Sequence, residues 1–385
     1  MTVFAGLQIT GLGTHDAARE LLKRILGSGL VDGVIVPIET HDRRSVQLAL
    51  VRDPEKLRHA QPLAPVVPVS AARIASLLTE RSGAPEGEGR RKTAVVMKPC
   101  ELRAAVELAK LRQVRLDGLL TVAVDCAGTY EPRVVRTGEM PLEALREAVI
   151  VAAREGRPDP EVGPPLRHAC TICIHPVAPK ADVALHLVGM KEEAGILVEL
   201  GDEKWAEALG LTVGADPRPH QQAVEALVTA RQGRRKVVLD KVVGEMSARP
   251  DGTPGLVELF DQCQRCLNCS IACPICYCKE CLFRTETLRP EPRRFQALAG
   301  SRGSTRMPGD AIAFQLTRLN HVSTSCVGCG LCTSACPADL PVDAVFQAVA
   351  MHTQGLFDYV PGRAVEEALP ATTFKRDEFV TLGED

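Results

Sequence analysis

The chain has 385 residues, 46 basic and 48 acidic side chains and a net charge of −2, a balance that excludes a nucleic-acid coat or a polybasic membrane anchor. Fifteen cysteines cannot all pair as disulfides, and the amino terminus shows no basic stretch followed by an apolar leader. Thiols used as metal ligands in a reducing cytoplasm are therefore expected, with no transmembrane segment, since no apolar run approaches the roughly 20 residues a membrane span needs.

Gly13–Leu30 carries Ala17, Leu21, Leu22, Ile25 and Leu30 at helical spacing and predicts an amphipathic helix. Gly33–Ile38 reads as a buried strand, Ala71–Leu78 as a short helix and Ser82–Gly89 as a polar loop. Thr93–Met97 predicts a second strand, Glu101–Arg112 a helix and Leu119–Val124 a third strand that ends at Asp125–Cys126. Strands at Val183–Leu187 and Gly195–Glu199 continue the alternation, which implies an α/β domain with a partly parallel, mixed sheet. Pro219–Gln232 predicts a helix that breaks at Gly233 and resumes towards Met246, with Arg234, Arg235 and Lys236 in a solvated turn. A Pro/Gly linker between residues 248 and 255 then divides the chain into domains 1–248 and 255–385, the second cysteine-rich and mainly helical.

The second domain holds two matching runs. Cys263, Cys266, Cys269 and Cys273 precede Pro274, and Cys326, Cys329, Cys332 and Cys336 precede Pro337. Both read C-x2-C-x2-C-x3-C-P, the ferredoxin pattern in which the fourth cysteine serves the other cluster. One 4Fe–4S cluster is expected on Cys263, Cys266, Cys269 and Cys336, and another on Cys326, Cys329, Cys332 and Cys273. Zinc fits poorly, because its common spacings do not explain a four-cysteine run repeated with its proline. The small residues Ser270, Gly328 and Gly330 would let backbone N–H groups approach the sulfurs. Cys276, Cys278 and Cys281 lie between the runs as candidates for a further metal, and the basic stretch Arg284–Arg306 is a candidate docking surface.

In the first domain, Cys100 and Cys126 each follow a predicted strand, at the sheet edge where α/β proteins gather ligands. With the C-x2-C pair Cys170 and Cys173 they would complete a third 4Fe–4S site from three loops. Lys98–Glu101 opens a helix whose N–H groups favour an anion, either a cluster or a flavin phosphate. Gly11–Thr14 is a weak phosphate-loop candidate, and His168, His175 and His186 read as surface or supporting residues.

The stretches VVMKPCELRAAVELAKL, LLTVAVDCAGTY and CTICIHPVAPKADVALHLVG resemble the beta-subunit family of coenzyme F420-reducing hydrogenases and F420-dependent formate dehydrogenases. The later CPICYCKECLF and MPGDAIAFQLTRLNHVSTSCVGCGLCTSACP are similar to the formate-dehydrogenase branch. The resemblance implies a flavin-binding first domain and a helical two-cluster ferredoxin domain, in an oxidoreductase subunit that is not a complete enzyme alone. It implies FAD as well as clusters, with Lys98, Glu101, Arg103 and Thr129 as candidate flavin contacts. Partners would be the catalytic subunit of a formate dehydrogenase or hydrogenase, or heterodisulfide-reductase-like subunits, and a soluble two-electron carrier. His175–Pro176 stands where F420-acting members often have an Asp–aromatic pair, which leaves the acceptor open between F420, another carrier and a partner protein. A non-flavin electron-transfer adaptor and a zinc-stapled interaction protein are the competing readings.

Overall fold

The computed structural model describes residues 2–7, 12–81, 92–192, 195–247, 255–288, 292–303 and 310–372. The Ser82–Gly89 loop, most of the linker (248–254) and Gly11 of the phosphate-loop candidate lie outside them.

Eight strands form one mixed sheet: β1 (Val3–Leu7), β2 (Val31–Glu39), β3 (Val46–Val51), β4 (Lys92–Met97), β5 (Leu119–Val124), β6 (Val183–His186), β7 (Ile196–Leu200) and β8 (Thr212–Val213). Their order is β3-β2-β4-β5-β6-β7-β1-β8, with β2, β4, β5 and β6 mutually parallel and every other pair antiparallel. The parallel centre follows from the predicted alternation, because parallel neighbours need crossovers. Two of these, α2 (Ala71–Arg81) and α3 (Pro99–Lys110), cover one face, and α1 (Thr14–Gly27) covers the other.

β5 is buried along its whole length, so it reads as an unbroken apolar run. Its side chains still alternate: Leu120, Val122 and Val124 join the core under α1, whereas Leu119 and Ala123 join the core of the α2/α3 face. The latter core continues into the carboxy-terminal region through Phe260, Phe314, Val345 and Phe346. The cysteine-rich segment thus packs on the helix-covered face of the sheet, over α3.

The helix expected to break at Gly233 does not break. Arg218–Met246 is continuous, because its middle turns are held by arginines instead of an apolar stripe. Leu227 anchors it in one core, Leu239 and Val242 in the other, and the intervening Arg231 is fully buried. That contact offsets the roughly 1 kcal/mol that glycine costs inside a helix. The basic stretch after Arg284 is likewise helical in part, over Pro292–Arg302. Among the described residues no helix is long and apolar enough to cross a membrane.

Candidate metal and cofactor sites

Met97 of β4 pairs with Ala123 of β5 in parallel register, so Cys100 and Cys126, each three residues further on, leave the sheet side by side. After Cys126 the chain turns at Gly128 with φ +134°, where a Cβ would stand 2.4 Å from Leu166 Cδ1. This turn directs the chain towards Arg167 and the short helical turn His168–Thr171 that carries Cys170. Cys126 neighbours Cys170 and Cys173, and Cys100 neighbours Cys126 and, from the second ferredoxin-type run, Cys329. The four thiols predicted to form one site therefore share a neighbourhood. Burial pushes the Cys100 and Cys126 thiols up. Cys170 differs: burial opposes ionisation, but Arg167 and the Thr129 hydroxyl outweigh it and hold the thiol below its ordinary value.

The four candidate flavin contacts separate. Lys98 and Glu101 line an apolar cavity of about 340 Å³ bounded by Pro37, Leu48, Val67, Ile74, Val96 and Val124, at the carboxyl ends of β2, β4 and β5. Glu101 also has a structural task, since its carboxylate accepts the Lys98 N–H at 2.9 Å and the Ala71 N–H at 2.7 Å, capping α3 and α2 together. Arg103 and Thr129 lie among the thiols instead. Arg103 donates to Val327 O at 3.1 Å and Pro361 O at 2.8 Å, while Thr129 Oγ1 accepts from Arg167 Nε at 2.8 Å and sits 3.4 Å from Cys170 Sγ.

The two ferredoxin-type runs share a backbone conformation as well as a spacing. The residues before and after the second cysteine have positive φ in both: Arg265 (52°) and Leu267 (64°), then Gly328 (70°) and Gly330 (72°). Glycine adopts this region freely, whereas Arg265 and Leu267 each pay roughly 1–2 kcal/mol. Such a paired cost is explained if both loops must wrap the same kind of object. In the second run the N–H groups of Gly328 and Leu331 point to the sulfurs of Cys326 and Cys329. Cys273, Cys326, Cys329 and Cys332 line one cavity, the set expected from the crossed pattern. Gln315 Nε2 lies 3.7 Å from Cys263 Sγ, and Arg318 Nη1 lies 3.0 Å from Cys269 Sγ. Cys336 follows the turn Leu331–Ser334, which packs on the turn Asn268–Ala272 of the first run.

Cys276, Cys278 and Cys281 line a separate cavity beside Phe314 and His321. Among the described residues no three thiols come within 4.8 Å of one another. A zinc tetrahedron with Zn–S near 2.3 Å needs sulfurs about 3.8 Å apart, closer than any three of the described thiols stand.

Gly330 ties the second run to the first-domain site. At this position a Cβ would stand 2.3 Å from Ala169 Cβ, next to Cys170. Gly330→Ala is expected to cost about 2–4 kcal/mol by left-handed strain plus overlap. Gly138→Ala, at φ +75° with open space around it, should cost only the strain, about 1 kcal/mol. Denaturant unfolding of both variants checks the difference, and equal losses would contradict the close approach.

His186 links Asp125, 3.1 Å from its Nδ1, to Glu199, 2.9 Å from its Nε2. Asp125 also accepts the N–H groups of Leu187 and Val188, fixing the strand end that carries Cys126. Burial pushes the imidazole down, but the Asp125 and Glu199 carboxylates outweigh it and hold its pKa up at about 9, from 6.5. The imidazolium's contribution is complete below the unfolded value and disappears as pH rises through the folded one. Unfolding free energy is expected to fall between pH 6.5 and 9 by up to about 3 kcal/mol, and the His186→Gln chain should lack that fall. A wild-type profile flat over this window would contradict the assignment.

Sequence reasoning missed the arginines. Arg234, placed in a solvated turn, donates to Thr171 O at 3.2 Å, and its neighbour Arg235 to Ile172 O at 3.5 Å. Arg231 reaches Cys173 O at 3.5 Å and, more closely, Ala127 O at 2.5 Å and Pro158 O at 2.7 Å. One face of the long helix therefore grips the C-x2-C loop residue by residue. The signal was the i, i+3, i+4 spacing of three arginines, which normally marks a wet face.

No family model matches the chain. It is 25% identical over 380 residues to the F420-dependent formate dehydrogenase subunit beta of Methanocaldococcus jannaschii, covering 92% of this chain and 93% of the relative. It is 27% identical over 385 residues to the F420-dependent formate dehydrogenase 1 subunit beta of Methanococcus maripaludis, with 92% of each covered. A chain of the F420-reducing [NiFe] hydrogenase complex from Methanosarcina barkeri aligns at a TM-score of 0.44 and 14% identity, covering 66% of this chain and 94% of that one. The similarity to these two beta subunits spans both the sheet and the cysteine-rich region.

Proposed function

We propose that this chain is an electron-transferring oxidoreductase subunit of a formate dehydrogenase- or hydrogenase-type complex, carrying three 4Fe–4S clusters and FAD. Residues 1–248 would form its flavin-binding domain and 255–385 its ferredoxin-type domain. The observation that carries this reading is a set of buried cations that face sulfur. Arg103, Arg167 and Arg318 are each at most 5% exposed, and none forms a carboxylate ion pair among the described residues. Buried guanidinium groups need partners, either carbonyls, as Arg231 has, or anions. Arg167 faces Cys170, Cys100 and Cys329; Arg103 faces Cys173, Cys100 and Cys326; Arg318 faces Cys269, Cys276, Cys273 and Cys332. Each oxidised cluster with four thiolates carries roughly −2, which moves a chain of formal charge −2 to about −8. The buried arginines balance that charge where it arises.

The ligand sets supported by this arrangement are Cys100, Cys126, Cys170 and Cys173; Cys326, Cys329, Cys332 and Cys273; and Cys263, Cys266, Cys269 and Cys336. The apolar cavity at Lys98 suits a flat aromatic ring system, with an ammonium at one wall. Bound FAD would supply exchange between one-electron and two-electron transfer. This chain's own residues hold the thiols in register, exclude water from the cavity and place positive charge between sites. Exposed Cys266 marks the first run as the end of the array nearest solvent, where electrons would pass to or from a partner's catalytic subunit. The other end would meet a soluble two-electron carrier.

Anaerobic reconstitution followed by absorption spectroscopy and acid extraction tests the reading. A broad band that bleaches on reduction, with FAD in the acid extract, is the expected result. A bleaching protein that releases no flavin would leave the non-flavin adaptor, and a colourless one would overturn both.

A further inference from the structure

Arg103 and Arg235, like Arg167, stand between the first-domain thiols and the second run. Arg103 is buried on α3, fixed by its bonds to Val327 O and Pro361 O and by Gly362, where a Cβ would stand 2.4 Å from Arg103 O. Arg235, on the long helix, donates to Gln347 Oε1 at 2.6 Å and to Ile172 O at 3.5 Å. The Gln347 side chain in turn lies over Gly328 of the second run, 2.9 Å from where a Cβ would be. Each arginine therefore touches the backbone or side-chain frame of one thiol set while standing within the electrostatic reach of both. Cys173 of the first-domain set and Cys326 of the second run face both guanidinium groups. His175 is the third ionisable group beside them; burial first, then Arg103 and Arg235, keep it neutral.

We infer that Arg103 and Arg235 form a shared cationic layer between the first-domain centre and the second-run centre that raises the reduction potentials of both. The inference rests on the cluster reading above. A fixed positive charge between two anionic centres favours the electron on either of them. The layer thus shifts two neighbouring centres in the same direction, so their potentials move together. The sulfurs of Cys263 and Cys269 in the first run meet Gln315 and Arg318 instead of this layer, and Arg318 also faces Cys273 and Cys332.

The test is a redox titration of the anaerobically reconstituted full chain, followed by EPR, for wild type, Arg235→Gln and Arg235→Lys. Iron and sulfide are measured first. In Arg235→Gln the reduced-to-oxidised ratio at fixed potential is expected to fall about tenfold at two centres, equivalent to 59 mV for a one-electron couple, with the third centre unchanged. Arg235→Lys keeps the charge and should retain the wild-type potentials. Full iron content with unshifted potentials in Arg235→Gln, equal shifts at all three centres, or equal shifts in the Gln and Lys variants would overturn the shared layer alone. Absence of iron and sulfide from the wild-type chain would instead overturn the cluster reading on which it rests.

Discussion

Cys126→Ala is expected to remove about a third of the chain's bound iron while the two carboxy-terminal centres keep theirs. Parallel register of β4 and β5 places Cys100 and Cys126 together at one edge, and the Gly128 turn brings Cys170 to the same place. Alanine removes one of four thiolates but no packing, since Cys126 is only partly buried and its loop is held by Arg231 and by the Asp125 network. Iron per folded chain should therefore fall without a comparable loss of stability. Iron content equal to wild type would remove Cys126 from the ligand set, and loss of all iron would mean that the three sites do not form independently.

Arg231→Leu has the largest expected effect on stability, a loss of about 3–5 kcal/mol. Its guanidinium is wholly buried and answers the carbonyls of Ala127 and Pro158, with Cys173 O at longer range. Leucine leaves these acceptors buried without a donor, at roughly 1–3 kcal/mol each. It also releases the loop after Cys126 from the loop that carries Cys173, so iron should be lost from the first-domain centre as well. Chemical denaturation and iron analysis measure the two effects separately. A change below about 1 kcal/mol would show that the helix does not bind these loops together.

The parallel core and the adjacency of Cys100 and Cys126 were legible in the sequence because apolar runs such as LLTVAV have only one economical place in an α/β sheet. The crossed ferredoxin pattern is read from spacing, and in the folded chain Cys273 lines a cavity with Cys326, Cys329 and Cys332. β1 and β3 left weaker traces: both are short and only partly buried along their length. The long helix was misread at Gly233 because the residues it buries there are charged, and hydrophobic periodicity says nothing about a buried guanidinium. Arg103 and Thr129 are candidate flavin contacts in the sequence. In the folded chain both side chains face thiols, a placement set by the carboxy-terminal segment packing over α3, which no local pattern encodes.

Counting iron and acid-labile sulfide in the anaerobically reconstituted full chain tests whether all three cysteine sets hold clusters. About twelve of each per chain are expected for three cubanes, and about eight would restrict the clusters to the paired ferredoxin runs. Zinc in place of iron, or iron without sulfide, would contradict the account.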